Sequence, residues 1–171
     1  MVRYRKSGFL KRLKATPLKP AEFLIAQMAS RLILIQTITV VVFAISLWLL
    51  DLRMTGSYAL LFLLSLVGSL CMISMGVIVA ARVGSEELAG GLLNVATMPM
   101  MLLSGAWFSL EGSPHWVQTL AQWLPLTHLI DGARAVMTES AGFSDVLPHL
   151  LVLSVLAVVF TSVGAMIFRW N

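Results

Sequence analysis

The sequence predicts an all-α, polytopic helical membrane protein with four transmembrane helices, an N-terminal amphipathic cytoplasmic helix and a re-entrant outer helical hairpin. Three observations predict it. Hydrophobic residues make up 58% of the chain and charged residues 12%, with a mean hydropathy of +0.90; a soluble domain averages roughly 45–50% apolar and about 25% charged. Four apolar stretches, near residues 32–50, 58–81, 88–107 and 146–168, approach the length that crosses a bilayer, which takes roughly 20 residues of helix. Between the last two lies a stretch, about 113–137, that is apolar yet broken by Pro125 into pieces too short to span. Short apolar helices of this kind are tolerated at membrane depth only where protein or a water-filled cavity covers them.

The net charge of +4 is not a nucleic-acid signal, and no nucleic-acid partner is expected. Most of the basic residues precede the first span: Arg3, Arg5, Lys6, Lys11, Arg12, Lys14 and Lys19. That is the positive-inside pattern, which predicts both termini in the cytoplasm. Cys71, the single cysteine, lies mid-span, so no intrachain disulfide can form. A cleavable signal peptide is not expected, because the basic leader is long and the apolar run after it is of span length.

Residues 1–19 form the leader. Phe9, Leu10 and Leu13 share a helical face while Lys6, Lys11, Arg12 and Lys14 lie elsewhere, which suits a surface helix that anchors to lipid headgroups or docks on a partner. Pro20 opens the next helix, with Glu22 in its first turn. In the first span, Gln36, Thr39 and Ser46 recur on one face; interhelical hydrogen bonds and a substrate path both account for such a stripe. The second span, from about Tyr58 to Ala81, carries Ser65, Ser69, Met72, Gly76 and Ala80 on one face, a small-residue stripe that permits close helix approach. Ser85 reads as the N-cap of the third span, with Glu86 and Glu87 serving its dipole rather than catalysis. Gly90, Asn94, Thr97 and Ser104 share a face there, and Pro99 frees a mid-span carbonyl for Thr97 or a neighbouring helix to satisfy.

In the hairpin, Ser113 is expected as N-cap with Pro114 following, and a second short helix from Leu126 to about Met137 lets Asp131 and Arg134 pair at i, i+3. Trp48, Trp107, Trp116 and Trp123 are expected to gather at the outer interface. The fourth span then returns to Arg169 and Trp170.

Chemistry-bearing patterns are missing. There is no phosphate-cradling Gly-rich loop with Lys-Ser/Thr, so ATP binding is not expected in this chain. His115, His128 and His149 show no metal-ligand spacing, no Gly-x-Ser-x-Gly elbow occurs, and mid-depth ionisable residues are absent from the spans. No catalytic residue, metal or cofactor is therefore expected.

Three segments resemble the membrane (permease) subunit of type-2 ATP-binding-cassette (ABC) exporters. The leader Gly8-Phe9-Leu10-Lys11-Arg12-Leu13-Lys14-Ala15-Thr16-Pro17-Leu18 is similar to the segment before the third helix of such permeases. Met98-Pro99 followed by Leu103-Ser104-Gly105-Ala106-Trp107-Phe108 is similar to the family's proline, Leu-Ser-Gly and aromatics. Leu124-Pro125-Leu126-Thr127-His128, with Arg134 downstream, resembles its Pro-Leu-x-His and following Arg. The resemblance implies an exporter permease in a bacterial inner (plasma) membrane. It would work as a dimer with a second permease copy, homodimeric or heterodimeric, beside membrane lipids, and couple to a separate cytoplasmic ABC ATPase that holds the ATP. Phe9, Leu10 and Leu13 would contact the ATPase. Gln36, Thr39, Asn94, Thr97 and Ser104 would line the translocation path, and Pro125, His128, Asp131 and Arg134 would shape the outer hairpin. Such permeases ordinarily have six spans, so the chain looks like the C-terminal part of one. The alternative expectation is a small membrane interaction or regulatory protein, or a remnant, without transport activity.

Overall fold

A computed structural model describes residues 20–50, 54–107 and 112–167. The leader with Phe9, Leu10 and Leu13 lies outside the described residues, as do Arg169 and Trp170. The described chain is helical, with no strand among those residues: α1 (Pro20–Leu50), α2 (Tyr58–Arg82), α3 (Glu86–Leu103), α4 (His115–Ala121), α5 (Pro125–Thr138) and α6 (Phe143–Ile167). Among the described residues, three helices are long and apolar enough to cross a membrane: α1 over Glu22–Leu49, α2 and α6. The chain is an integral membrane protein.

The third expected span differs. An apolar helix is there, but α3 stops at Leu103 instead of reaching Trp107. Gly105 takes φ +71°, a left-handed conformation open to glycine, in a turn two residues after the helix ends. Eighteen residues rise roughly 27 Å, just short of the roughly 30 Å hydrocarbon thickness.

Helix ends follow local chemistry. The Ser57 side chain accepts from Leu60 N–H and the Ser85 side chain from Leu88 N–H, so Ser85 caps α3 as its spacing predicts. Ser113 does not cap α4. Pro114 is the capping residue, with extended ψ, and its carbonyl accepts from Val117 N–H at 2.9 Å. The Ser113 carbonyl instead accepts from Gln118 Nε2. The start of α6 lies three residues ahead of the predicted Val146 because Asp145 Oδ2 reaches back to Gly142 N–H at 2.9 Å, one half of a capping box.

The core is the α2–α6 pair with α5 laid against both. Leu60, Leu64, Cys71, Val136, Val146, Leu150, Leu153 and Ala157 are buried together. A second cluster, Leu24, Met28, Ile73, Val77 and Ala81, holds α1 on the opposite end of α2. Between α2 and α6, Ser74 donates to the Leu70 carbonyl, so its oxygen accepts from Thr161 at 2.9 Å. Close approach does not use Gly76, where an added Cβ would meet nothing within 4 Å. It uses Gly164, facing Val77, and Gly68, whose missing Cβ makes room for Leu129 of α5. Of the predicted stripe, Ser65 and Ser69 meet Gln36 of α1, whereas Gly76 meets no neighbour.

Contacts along α5 give its depth. Leu129 meets Gly68, Gly132 meets Leu64, the Val136 carbonyl meets Gly56, and the Met137 carbonyl accepts from Thr55. So α5 runs antiparallel along one half of α2, and Gly68 lies ten residues into that helix, roughly 15 Å from its start. The hairpin dips into the bundle and returns.

Candidate functional site: the hairpin and its cavity

Proline opens α5 because its missing N–H is unneeded in the first turn and its φ suits a helix. Pro125 is buried, and the signature residues then fall at helical intervals, which sends them to different neighbours. The Arg134 Nη2 donates to the Gly105 carbonyl at 2.9 Å, tying α5 to the turn that ends α3. Its Nη1 stands 3.7 Å from Asp131 Oδ1, the i, i+3 pair expected from spacing. Both side chains are about half exposed, at 50% and 43%, so the pair contributes about 1 kcal/mol or less.

His128 makes the longest-range connection. Its Nδ1 lies 3.1 Å from Nδ1 of His149 on α6, and its Nε2 lies 2.8 Å from the Gln122 carbonyl at the end of α4. A carbonyl only accepts, so Nε2 carries the proton and Nδ1 of a neutral His128 accepts from His149. One imidazole thereby links α4, α5 and α6. Sequence reasoning missed His149, treating it as remote from His128. An ionisable side chain one turn or two inside a span was itself the available signal. His115 lies apart, bonded through ring and carbonyl to Thr119.

Beside the histidine pair opens a cavity of about 730 Å³. Trp123, Leu151, Val155 and Leu156 give it an apolar wall; Thr127, His128, Asp131 and His149 give it a polar one. Trp123 lies in the turn between α4 and α5 and is largely exposed while lining this cavity with residues of α6. Trp48, Trp107 and Trp116 are exposed at or beside helix ends, as a belt requires. Among the described residues no three His, Cys, Asp or Glu side chains converge as metal ligands do.

The residues expected along a translocation path divide into two groups. Gln36 is buried, and its amide bridges α1 to α2: Nε2 donates to Ser69 Oγ at 3.2 Å and Oε1 accepts from Ser65 Oγ at 3.3 Å. Thr39 lines a groove of about 280 Å³ with Phe43, Tyr58 and Phe62. The grooves holding Gln36 and Thr39 contain no residue of α3. On α3, Asn94 is exposed, Thr97 donates to the Leu93 carbonyl at 2.8 Å, and buried Ser104 donates to Met101. Thr97 thus does not serve the carbonyl of Val95, the one Pro99 frees; its bond lies two residues earlier, because a hydroxyl reaches its own i−4 carbonyl.

Comparison with known proteins decides the family. Residues 1–138 match the model of the ABC-2 type transporter family, the larger part of the chain. The chain belongs to the ABC-2 type transporter family. It is 26% identical over 169 residues to the Escherichia coli K12 protein named "Probable multidrug ABC transporter permease YbhR", a match covering 99% of this chain and 46% of that protein. It is 27% identical over 174 residues to the inner membrane transport permease YhhJ of the same strain, again covering 99% and 46%. The chain thus spans about half the length of the curated relatives it matches. No solved structure matches it. In this ABC-2 chain, the Pro125–Arg134 segment is the helix that binds the hairpin to α2, α3 and α6.

Proposed function

We propose that this chain is a permease subunit of an exporter, or the C-terminal part of one, forming part of a translocation path and coupled to a separate ABC ATPase. The observation that carries the reading is the family match over residues 1–138, supported by relatives named as transport permeases. The leader docks on the ATPase through Phe9, Leu10 and Leu13, so ATP is held by the partner and this chain has no catalytic residue or cofactor of its own. Both termini face the cytoplasm of the bacterial inner membrane, and the hairpin opens outward. The exposed Asn94 on α3 supports a path completed by a second permease copy, since an amide facing lipid alone is costly. Asn94, Thr97 and Ser104 of α3 and Gln36 and Thr39 of α1 contribute its polar lining. Replacing Phe9 and Leu13 with Asp tests the coupling: co-purification of the ATPase is lost while membrane insertion stays intact. Unchanged co-purification overturns the reading.

A further inference from the structure

The cavity beside the histidine pair has an uneven supply of hydrogen-bonding groups. With both imidazoles neutral, the Gln122 carbonyl holds His128 Nε2–H, His149 donates through Nδ1, and its Nε2 keeps a bare lone pair. No described residue donates to that nitrogen. Asp131 adds a carboxylate to the same lining, paired only loosely, at 3.7 Å, with Arg134, whose other terminal nitrogen donates to the Gly105 carbonyl. Thr127, 6% exposed, sits in the wall with a hydroxyl that has no partner. No Lys or Arg lines the cavity. Beside the donors of Gln122, Thr127 and the Trp123 indole, the lining thus offers one carboxylate, a bare imidazole nitrogen and no cation, while Leu151, Val155, Leu156 and the Trp123 ring supply apolar surface. A volume of about 730 Å³ lies within the range of small-molecule sites.

We infer that this cavity binds an amphiphile with an ammonium head, its N–H groups directed to Asp131 and His149 and its apolar body against α6 and Trp123. An ammonium has three donors and no acceptor, which complements this lining. An indole wall adds attraction for a cation. An alcohol satisfies one acceptor without the charge, and a carboxylate meets Asp131 with the same sign. The ligand's being cargo rests on the export reading above; its binding does not. The source is either a soluble hydrophobic amine or the amine head of a membrane lipid.

Equilibrium dialysis of the full chain in phosphatidylcholine nanodiscs, corrected with empty discs, tests this with three probes of one shape: phenylbutylamine, phenylbutanol and phenylbutyrate. The amine is expected to bind about fivefold tighter than the alcohol, the scale of a half-exposed charge pair, and the acid not to bind. Asp131→Asn keeps the side chain's shape and should bring amine and alcohol to within about twofold of each other. Equal binding of amine and alcohol to the native chain, no saturable amine binding, or a preference that survives D131N overturns the inference. Phosphatidylethanolamine discs separate the sources: a weakened apparent amine affinity identifies the lipid head as competitor, and an unchanged one identifies a soluble amine. Either result supports the site. No ATPase is needed for binding, so lost amine selectivity and retained ATPase co-purification in the Phe9 and Leu13 variants are separate outcomes.

Discussion

At Gln36 a single side chain shows how a polar group is used inside a span. Its amide donates to Ser69 and accepts from Ser65, so neither end faces lipid. Interhelical hydrogen bonds in membranes contribute about 0.6 kcal/mol each on average, so Gln36→Leu is expected to cost about 1 kcal/mol. Thermal unfolding in detergent micelles should show a lowered midpoint; an unchanged one would mean that the serines re-pair with carbonyls of their own helix. The stripe of Gln36, Thr39 and Ser46 was legible in the sequence, but its partner was not. Ser46 turns back to the Val42 carbonyl, and only Gln36 is long enough to reach the neighbouring helix with both ends.

Among the elements, α5 is set by what its neighbours omit. At Gly56 an added Cβ would strike the backbone carbonyl oxygen of Val136, which cannot swing aside. At Gly68 the obstacle is the end of the Leu129 side chain, which can change rotamer, and at Gly76 there is open space. Alanine substitution should therefore destabilise in the order Gly56, Gly68, Gly76. The first is expected to cost about 1–3 kcal/mol as overpacking, and the last to be neutral or stabilising by up to about 1 kcal/mol through helix propensity. Limited proteolysis at the hairpin in each variant checks the order, and a Gly76→Ala loss equal to that of Gly56→Ala would contradict the α5–α2 register. Sequence periodicity located the short helices, Pro125 and the Asp131–Arg134 pair, because each depends on spacing within one segment. It could not locate His149 against His128 or Gly68 beneath Leu129, because those pairings depend on how deep the hairpin sits.

Over the whole molecule, a helical membrane protein was legible from composition and apolar run length, and the family from three ordered segments. The length of the third apolar helix was less so: a hydrophobic run continues to Trp107, but Gly105 turns the backbone before the run ends. The orientation we propose places the hairpin outside. A cysteine at Ser113 should then react with an impermeant thiol reagent added to intact cells, and one at exposed Gly84 should react only after the membrane is opened. Reversed labelling would invert every side assignment; buried Cys71 should stay silent in both. One feature of the hairpin sets how such a molecule can move. The Arg134 guanidinium grips the Gly105 carbonyl, while five residues away Leu129 sits in the notch of Gly68. That geometry couples any tilt of α5 about Leu129 to the turn that ends α3. A tilt of about 10° on an arm of roughly 7.5 Å displaces the Arg134 end by about 1 Å. A shift of that size exceeds the tolerance of one hydrogen bond, so a hairpin that tilted would have to carry the end of α3 with it or release Gly105.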